Sequence, residues 1–256
     1  MIPKVIHYCW FGRNPLPPLA LKCIKSWKKY LPDYEVKEWN EENFDINMIP
    51  YIKEAYEAKK YAFVSDYARF WILYNYGGLY FDTDVEVIKN MDEIIGRGPF
   101  MGCEKLENKN ENGIFSIGIN LGINPGLGLG AIPGLMLYKE LLNKYETLHF
   151  YNKDGSLNQK TIVAYTTELM LEKGLKNVSD IEFCNGIYIY PYDYFCPKDY
   201  YTGKIYLTSK SVSIHHYDAS WLKRTSKIGM WIRRKLGIKA VLFCNKILNI
   251  FGIKQK

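Results

Sequence analysis

Tyr61-Ala-Phe-Val-Ser-Asp-Tyr-Ala-Arg-Phe-Trp-Ile-Leu-Tyr-Asn-Tyr-Gly-Gly-Leu-Tyr-Phe-Asp-Thr-Asp84 is the stretch whose reading settles the architecture. From Tyr61 to Tyr76 it is apolar around most of a helical circumference, which marks a buried helix. Within that helix Asp66 and Arg69 stand at i and i+3 and share a face with Ser65. Charges in such a place need partners, either each other or a polar ligand. Gly77-Gly78 ends the helix, because glycine readily takes the left-handed conformation of a helix terminus. Leu79-Tyr80-Phe81 then reads as a short buried strand, so Asp82 and Asp84 leave a strand end, where open α/β sheets place their ligand sites. Two carboxylates one residue apart suit a hard divalent cation that takes oxygen ligands, Mn²⁺ or Mg²⁺.

Moving outward, Ile2 to Gly12 reads as a first strand followed by a glycine turn, with no signal peptide before it. Leu16 to Tyr30 has helical character and Tyr34 to Trp39 alternates like a second strand, which makes a βαβ beginning. Trp10 and the segment Asn40 to Asn43 therefore fall at one edge of the sheet. His7 sits on the face opposite Trp10 in a regular strand and reads as structural. Asn112 to Pro133 is rich in glycine and asparagine, which are ordinary turn residues. Its Gly126-Leu-Gly-Leu-Gly130 lacks the spacing and the following acidic residue of a dinucleotide loop. Near the other end stands Ile214-His215-His216-Tyr217-Asp218-Ala219-Ser220-Trp221, which holds two of the four histidines. Imidazole is a reasonable ligand for Mn²⁺ beside a carboxylate.

A chain of 256 residues with 48% hydrophobic content can bury a full core in a single α/β unit. Six scattered cysteines without a C-x-x-C pair fit a reducing cytoplasm. Charge is uneven: residues 222–256 hold ten of the 34 lysines and arginines and no acidic residue, leaving 24 basic against 27 acidic before them. Read as a helix from Arg233, this tail sets Lys235, Lys239 and Lys246 on one arc and Leu236, Phe243, Ile247 and Phe251 on the other, with Ile238 and Leu242 as exceptions. Basic amphipathic helices lie in the interface of anionic membranes, whereas packing on the catalytic domain is the plainer alternative. The expected division is a catalytic domain over residues 1–221 and a membrane-associating tail over 222–256. No base-reading motif accompanies the basic charge, so nucleic acid is not an expected partner.

The run Y-A-x-x-S-D-Y-A-R-F-x-x-L-Y-x-Y-G-G-x-Y-x-D-x-D resembles the sugar-binding D-x-D region of the glycosyltransferases that include fungal Golgi initiating mannosyltransferases and bacterial capsule enzymes. The S-D-x-x-R and D-x-D spacing is similar to that of the large clostridial glucosylating toxins. The resemblance implies an α/β GT-A fold, Rossmann-like with a mixed central sheet. It also implies a nucleoside-diphosphate sugar donor, Mn²⁺ or Mg²⁺, and transfer with retention of anomeric configuration. It makes Asp84 the direct metal ligand and His216 the second, with His215 facing away. Asp66, Arg69 and Asp82 serve the donor's hydroxyls and phosphates, and Ser65 shares their helix face. Trp10 stacks on the nucleobase, a contact of roughly 1–3 kcal/mol. Asn43 meets the nucleoside, Asn124, with Asn120 as the alternative, the donor sugar, and Ser220 and Trp221 the diphosphate. Gly130-Ala131-Ile132-Pro133-Gly134 departs from the family's turn by lacking its histidine. A uridine donor is favoured over guanosine diphosphate mannose. The acceptor is a glycan or lipid-linked saccharide of the cell surface, reached from the inner face of the membrane.

Two other classes compete. A phosphohydrolase of the haloacid dehalogenase type also places D-x-D after a buried strand, but Glu86 stands where that family wants threonine or valine. A membrane-docked binding protein with a degenerate site would not be expected to keep Asp66, Arg69, Asp82, Asp84 and His216 together.

Overall fold

In a computed structural model, residues 1–105, 121–176, 178–200 and 202–218 are described. The βαβ beginning is present as β1 (Val5–Cys9), α1 (Pro18–Tyr30) and β2 (Glu35–Trp39), with β2 parallel to β1 from Val5↔Glu35 to Cys9↔Trp39. Pro18 opens α1, where its missing N–H costs nothing. Ala20, Cys23 and Trp27 form the buried stripe of α1, and the indole Nε1 of Trp27 donates to the Val85 carbonyl at 2.7 Å.

After α2 (Pro50–Glu57) comes α3 (Tyr61–Tyr76), with nine buried residues that include Asp66 and Arg69. Gly77 stops it at φ 64, ψ −159, a pairing open to glycine but not the left-handed helical one expected from the sequence. A side chain there would strike Pro133 and the Ala131 carbonyl. His7 secures this corner: its Nδ1 accepts from Trp39 Nε1 at 3.0 Å, so Nε2–H donates to the Gly77 carbonyl at 3.1 Å. Burial lowers its pKa to about 4, so the ring is a neutral structural group, as its register suggests.

The chain then forms β3 (Gly78–Tyr80), β4 (Val85–Val87), α4 (Asp92–Arg97), β5 (Phe100–Lys105), β6 (Leu121–Ala131), α5 (Met136–Glu146) and α6 (Ile162–Glu172). It finishes with β7 (Glu182–Cys184), β8 (Ile187–Tyr190), α7 (Tyr192–Phe195) and β9 (Ser213–His215). The main sheet has seven strands in the order β2-β1-β3-β6-β5-β8-β7, and β4 pairs with β9 in a small second sheet. Strand β6 runs antiparallel to both β3 and β5, while β5 is parallel to β8. Thus β1, β2, β3, β5 and β8 point one way in a mixed sheet.

Adjacent residues of a strand serve opposite faces. Leu79 and Phe81 join the core under α1 and α7, while Tyr80 joins the core beneath α2, α3, α5 and α6. The glycine-rich middle, which reads as turns, is in its second half the eleven-residue strand β6. Its glycines leave room for neighbours: a Cβ at Gly128 would press on Phe81, and one at Gly130 would strike Phe100. Among the described residues no helix is long and apolar enough to cross a membrane. The tail 222–256, Ser220 and Trp221 lie outside the described residues.

Candidate active site

Because five strands share a direction, their carboxyl ends meet along one edge. Trp10 follows β1, Asn40 to Asn43 follow β2, Asp82 and Asp84 follow β3, Glu104 closes β5, and Cys196 lies just beyond α7 after β8. Asn124 reaches the same edge from the early part of the antiparallel β6, opposite Gly102.

Arg69 organises one side. Its guanidinium is buried and touches two carboxylates, Asp66 Oδ1 at 2.8 Å and Asp82 Oδ1 at 3.3 Å, while Nε donates to the Ser65 carbonyl at 3.1 Å. Tyr80 places its ring 5.0 Å from the guanidinium carbon, and its hydroxyl donates to Asp82 Oδ1 at 3.1 Å. Burial pushes Asp66 up to about 7; Arg69 opposes this and Asp82 adds to it. Two carboxylates share one cation, and burial is what lets Asp66 hold a proton readily. The Ser65 hydroxyl turns back to the Tyr61 carbonyl at 3.2 Å and leaves its own carbonyl to Arg69.

Asp84 has a different environment. Its Oδ1 is 3.2 Å from His215 Nε2, and its Oδ2 accepts the Asp218 amide at 2.8 Å. Its carbonyl accepts the His216 amide at 2.9 Å. Tyr217, at φ 53, takes the left-handed conformation between these two amides, an uncommon position for a bulky residue. Burial works against ionising Asp84, but the His215 charge and the hydrogen bonds outweigh it and hold the carboxyl at about 2. Reciprocally, burial disfavours the His215 cation, yet Asp84 drives its pKa well above the usual imidazole value.

The imidazole at Asp84 is therefore His215, the residue expected to face away. His216 turns to Glu86, with Nε2 2.8 Å from Oε2, and Lys22 also bonds that oxygen at 2.7 Å. The pairing of β4 with β9 explains the exchange, since Val85↔His215 sets His215 beside Asp84 and a one-residue shift would present its neighbour.

Asn124 bridges the two sides. Its Nδ2 donates to Glu104 Oε2 at 2.9 Å, and its Oδ1 accepts the Gly126 amide at 2.7 Å. A Cβ on Gly126 would collide with Asp82 Oδ2, so glycine lets the β6 backbone pass close to the Asp82 carboxylate. Tyr217 completes the arc, with its hydroxyl donating to Glu104 Oε2 at 3.2 Å and lying 2.8 Å from Cys196 Sγ.

Glu104, Cys196 and Tyr217 are functional candidates that the sequence reading passed over. A lone acid closing the apolar run Phe100-Met-Gly-Cys-Glu104 is the one signal it offered.

Trp10 and Asn43 stand farther along the edge and are used locally. Trp10 Nε1 donates to the Asn14 carbonyl at 2.6 Å, and its amide bonds the Trp39 carbonyl at 2.8 Å. Asn43 closes the turn after β2, with Nδ2 on the Glu38 carbonyl and Oδ1 accepting the Asn40 amide, both at 2.9 Å.

Residues 17–101 match the family described as glycosyltransferase sugar-binding region containing DXD motif. Inositol phosphoceramide mannosyltransferase 3 of Schizosaccharomyces pombe is 34% identical over 98 residues, covering 37% of this chain and 27% of that protein. An uncharacterized glycosyltransferase of Acanthamoeba polyphaga mimivirus is 33% identical over 114 residues, covering 42% and 45%. The chain thus spans between about a quarter and just under half of these relatives. Among solved structures, the PaToxG glycosyltransferase aligns at TM-score 0.47 and 15% identity, over 68% of this chain and 70% of its own. Galactosyltransferase LgtC, in complex with donor and acceptor sugar analogs, aligns at TM-score 0.42 and 13% identity, over 91% and 95%.

Proposed function

We propose that this chain, whose residues 17–101 are the sugar-binding region of the DXD glycosyltransferases, transfers a hexosyl group from a nucleoside-diphosphate sugar to a saccharide or lipid-linked saccharide with retention of configuration. The observation that carries the reading is the convergence of Asp82, Asp84, Arg69 and Asn124 at one sheet edge, with Gly126 cleared of a side chain beside Asp82.

Carboxylate oxygens are the ligands that Mn²⁺ and Mg²⁺ prefer, so the residues present fit such an ion. Asp84 would hold it with Asp82 beside it; His215 is the imidazole already at Asp84, and His216 would join only by giving up Glu86. When bound, the ion supplies Lewis-acid stabilisation of the departing diphosphate.

The protein's own groups do the rest. Arg69 is permanently charged and fixed by two carboxylates and a carbonyl, so it can hold Asp82 in place and donate charge-assisted hydrogen bonds to donor oxygens. Asp66, with its raised pKa, offers either a proton or a lone pair to a sugar hydroxyl. Asn124, oriented by Glu104 and the Gly126 amide, faces the donor sugar. Trp10 offers its ring to the base, Asn43 and Ser65 lie at the edge of the donor site, and Ser220 and Trp221 are assigned to the diphosphate. The basic tail supports action at an anionic inner membrane face, with cell-surface or capsular polysaccharide as the product class.

The test is thermal melting with UDP and GDP, each with and without Mn²⁺. Ligand at a hundredfold excess over Kd adds about 2.7 kcal/mol. A manganese-dependent rise with one nucleotide, UDP by expectation, that disappears in Asp84→Asn supports the proposal. A folded protein that responds to neither nucleotide contradicts it.

A further inference from the structure

Between α7 and β9 the chain presents apolar side chains to solvent where a folded surface usually hides them. Residues 204–210 are exposed without a break, and Ile205, Tyr206 and Leu207 within them are 45%, 60% and 57% exposed. Scattered apolar residues on a surface need no explanation, and the other large ones among the described residues stand singly, as Leu21, Tyr76 and Phe183 do. Three in succession form a patch, and Lys204 and Lys210 bracket it. Looseness does not account for the exposure. Ile205 is bridged to Lys198, the Tyr206 amide donates to the Pro197 carbonyl at 2.8 Å, and the Lys89 ammonium donates to the Ser209 carbonyl at 2.8 Å. Asp199 turns its carboxylate onto the Thr202 amide and hydroxyl, at 2.6 and 2.7 Å, and residues 200–217 contain no acid at all.

We propose that the loop of residues 202–210 is a membrane-docking element, in which Ile205, Tyr206 and Leu207 enter the interface of a bilayer whose anionic headgroups meet Lys204 and Lys210. Charge decides what covers the patch. The chain's own tail offers an apolar arc, but residues 222–256 hold ten lysines and arginines and no acid, so the tail meets the two lysines as like charge. An anionic headgroup layer attracts both segments and accommodates apolar side chains just beneath it. Tyrosine suits that depth, since its ring is apolar and its hydroxyl reaches water. Lysine suits it too, because its stem lies along apolar surface while its ammonium stays with the headgroups.

The loop is rooted at the candidate active site. Lys198, paired with Ile205 across the bridge, donates its ammonium to the His216 carbonyl at 2.8 Å, and the His216 amide donates to the Asp84 carbonyl at 2.9 Å. Docking through residues 202–210 would bring the Asp84 corner of the sheet edge up to the bilayer, where a saccharide carried on a lipid is presented. The inference rests on the transfer reading for that acceptor. It adds to the tail a second contact, which forms at raised effective concentration once the first has bound. One anchor leaves the domain free to turn on the surface, whereas two hold one edge toward it.

The experiment measures binding of the full chain to vesicles of phosphatidylcholine with phosphatidylserine and of phosphatidylcholine alone. The expected result is a preference for the anionic vesicles, with binding that the double variant Tyr206→Ser, Leu207→Ser weakens by roughly tenfold, about 1.4 kcal/mol. Phe183→Ser, at an equally exposed but solitary position, should leave it unchanged. No binding to anionic vesicles, equal affinity in the double variant, or an equal loss in Phe183→Ser overturns the proposal. Should the double variant fail to fold by circular dichroism, a polarity-sensitive dye on Tyr206→Cys, in a chain also carrying Cys244→Ser, decides instead, because the other five cysteines are buried. Blue-shifted emission on adding anionic vesicles supports insertion. Emission that stays water-like with vesicles overturns it, and so does emission already blue-shifted before they are added, which would show the tail or a second copy covering the patch. Vesicle binding is read without nucleotide, so a chain that docks through this loop but answers neither UDP nor GDP would keep the membrane contact and lose the transfer reading.

Discussion

Asp82 and Asp84 are separated by one residue yet belong to two differently built halves of the site. Asp82 is held by Arg69 and Tyr80, partners thirteen and two positions before it in the chain. Asp84 is held by His215 and the Asp218 amide, and the latter is 134 positions away. The first half is assembled by a helix, a glycine stop and a strand in succession. The second exists only once β9 has paired with β4. One motif is thus half local and half dependent on the finished fold, and its two carboxylates carry opposite electrostatics. The Asp66–Asp82 pair shares a single cation, whereas Asp84 faces a cation of its own.

Arg69→Ala tests that contrast most severely. It leaves Asp66 and Asp82 together without a counter-charge, and breaking a buried pair in this way costs about 3–5 kcal/mol. Denaturant unfolding would read it, and a loss below about 1 kcal/mol would break the claim that one guanidinium holds the local half.

The pH dependence of Asp66→Asn sharpens the sharing of that cation. The folded pKa of Asp66, about 7, lies above the unfolded value of about 3.9. Between these values the folded chain keeps a proton that the unfolded chain has lost. Stability therefore falls as pH rises through that window, by up to roughly 1 kcal/mol per pH unit. The Asn variant lacks this loss and should gain on the unmodified protein from about pH 4 to about pH 7. Parallel stability curves for the two would place the proton elsewhere.

Gly126→Ala forces a methyl group onto Asp82 Oδ2 and should cost about 1–3 kcal/mol. It should also blunt the manganese-dependent nucleotide shift, and a variant that melts and responds like the original would refute the close passage of β6. The smallest effect is expected from Tyr217→Phe, which removes the hydroxyl between Glu104 and Cys196 for about 1 kcal/mol. Its unfolding midpoint should fall slightly, and a loss as large as that of Arg69→Ala would mean that the distant half is the stiffer one.

What could be read from residue order divides along the same line. The buried helix, its glycine stop and the strand before Asp82 follow from periodicity and from residues within reach of one another, so α3, β3 and the Asp66–Arg69 pair were legible. The opening βαβ unit was legible for the same reason. Strand β6 was not, because glycines that look like turn residues are there to make room for Asp82, Phe81 and Phe100. Choosing between His215 and His216 needed the β4–β9 register, and strand alternation makes that choice depend on a single position. Cys196 carries no local pattern and Glu104 only its place at the close of an apolar run, since the two meet only where β5 and the end of α7 share the sheet's carboxyl edge.

The most direct measurement of the central claim is release of nucleoside diphosphate from UDP- and GDP-hexoses in the presence of Mn²⁺, by the full chain and by Asp84→Asn. The account predicts release from one donor class, fastest with a uridine donor, and a fall of at least about 100-fold in the variant, roughly 2.7 kcal/mol of transition-state stabilisation. Release that Asp84→Asn leaves unchanged, or a folded protein that turns over neither donor, would contradict it.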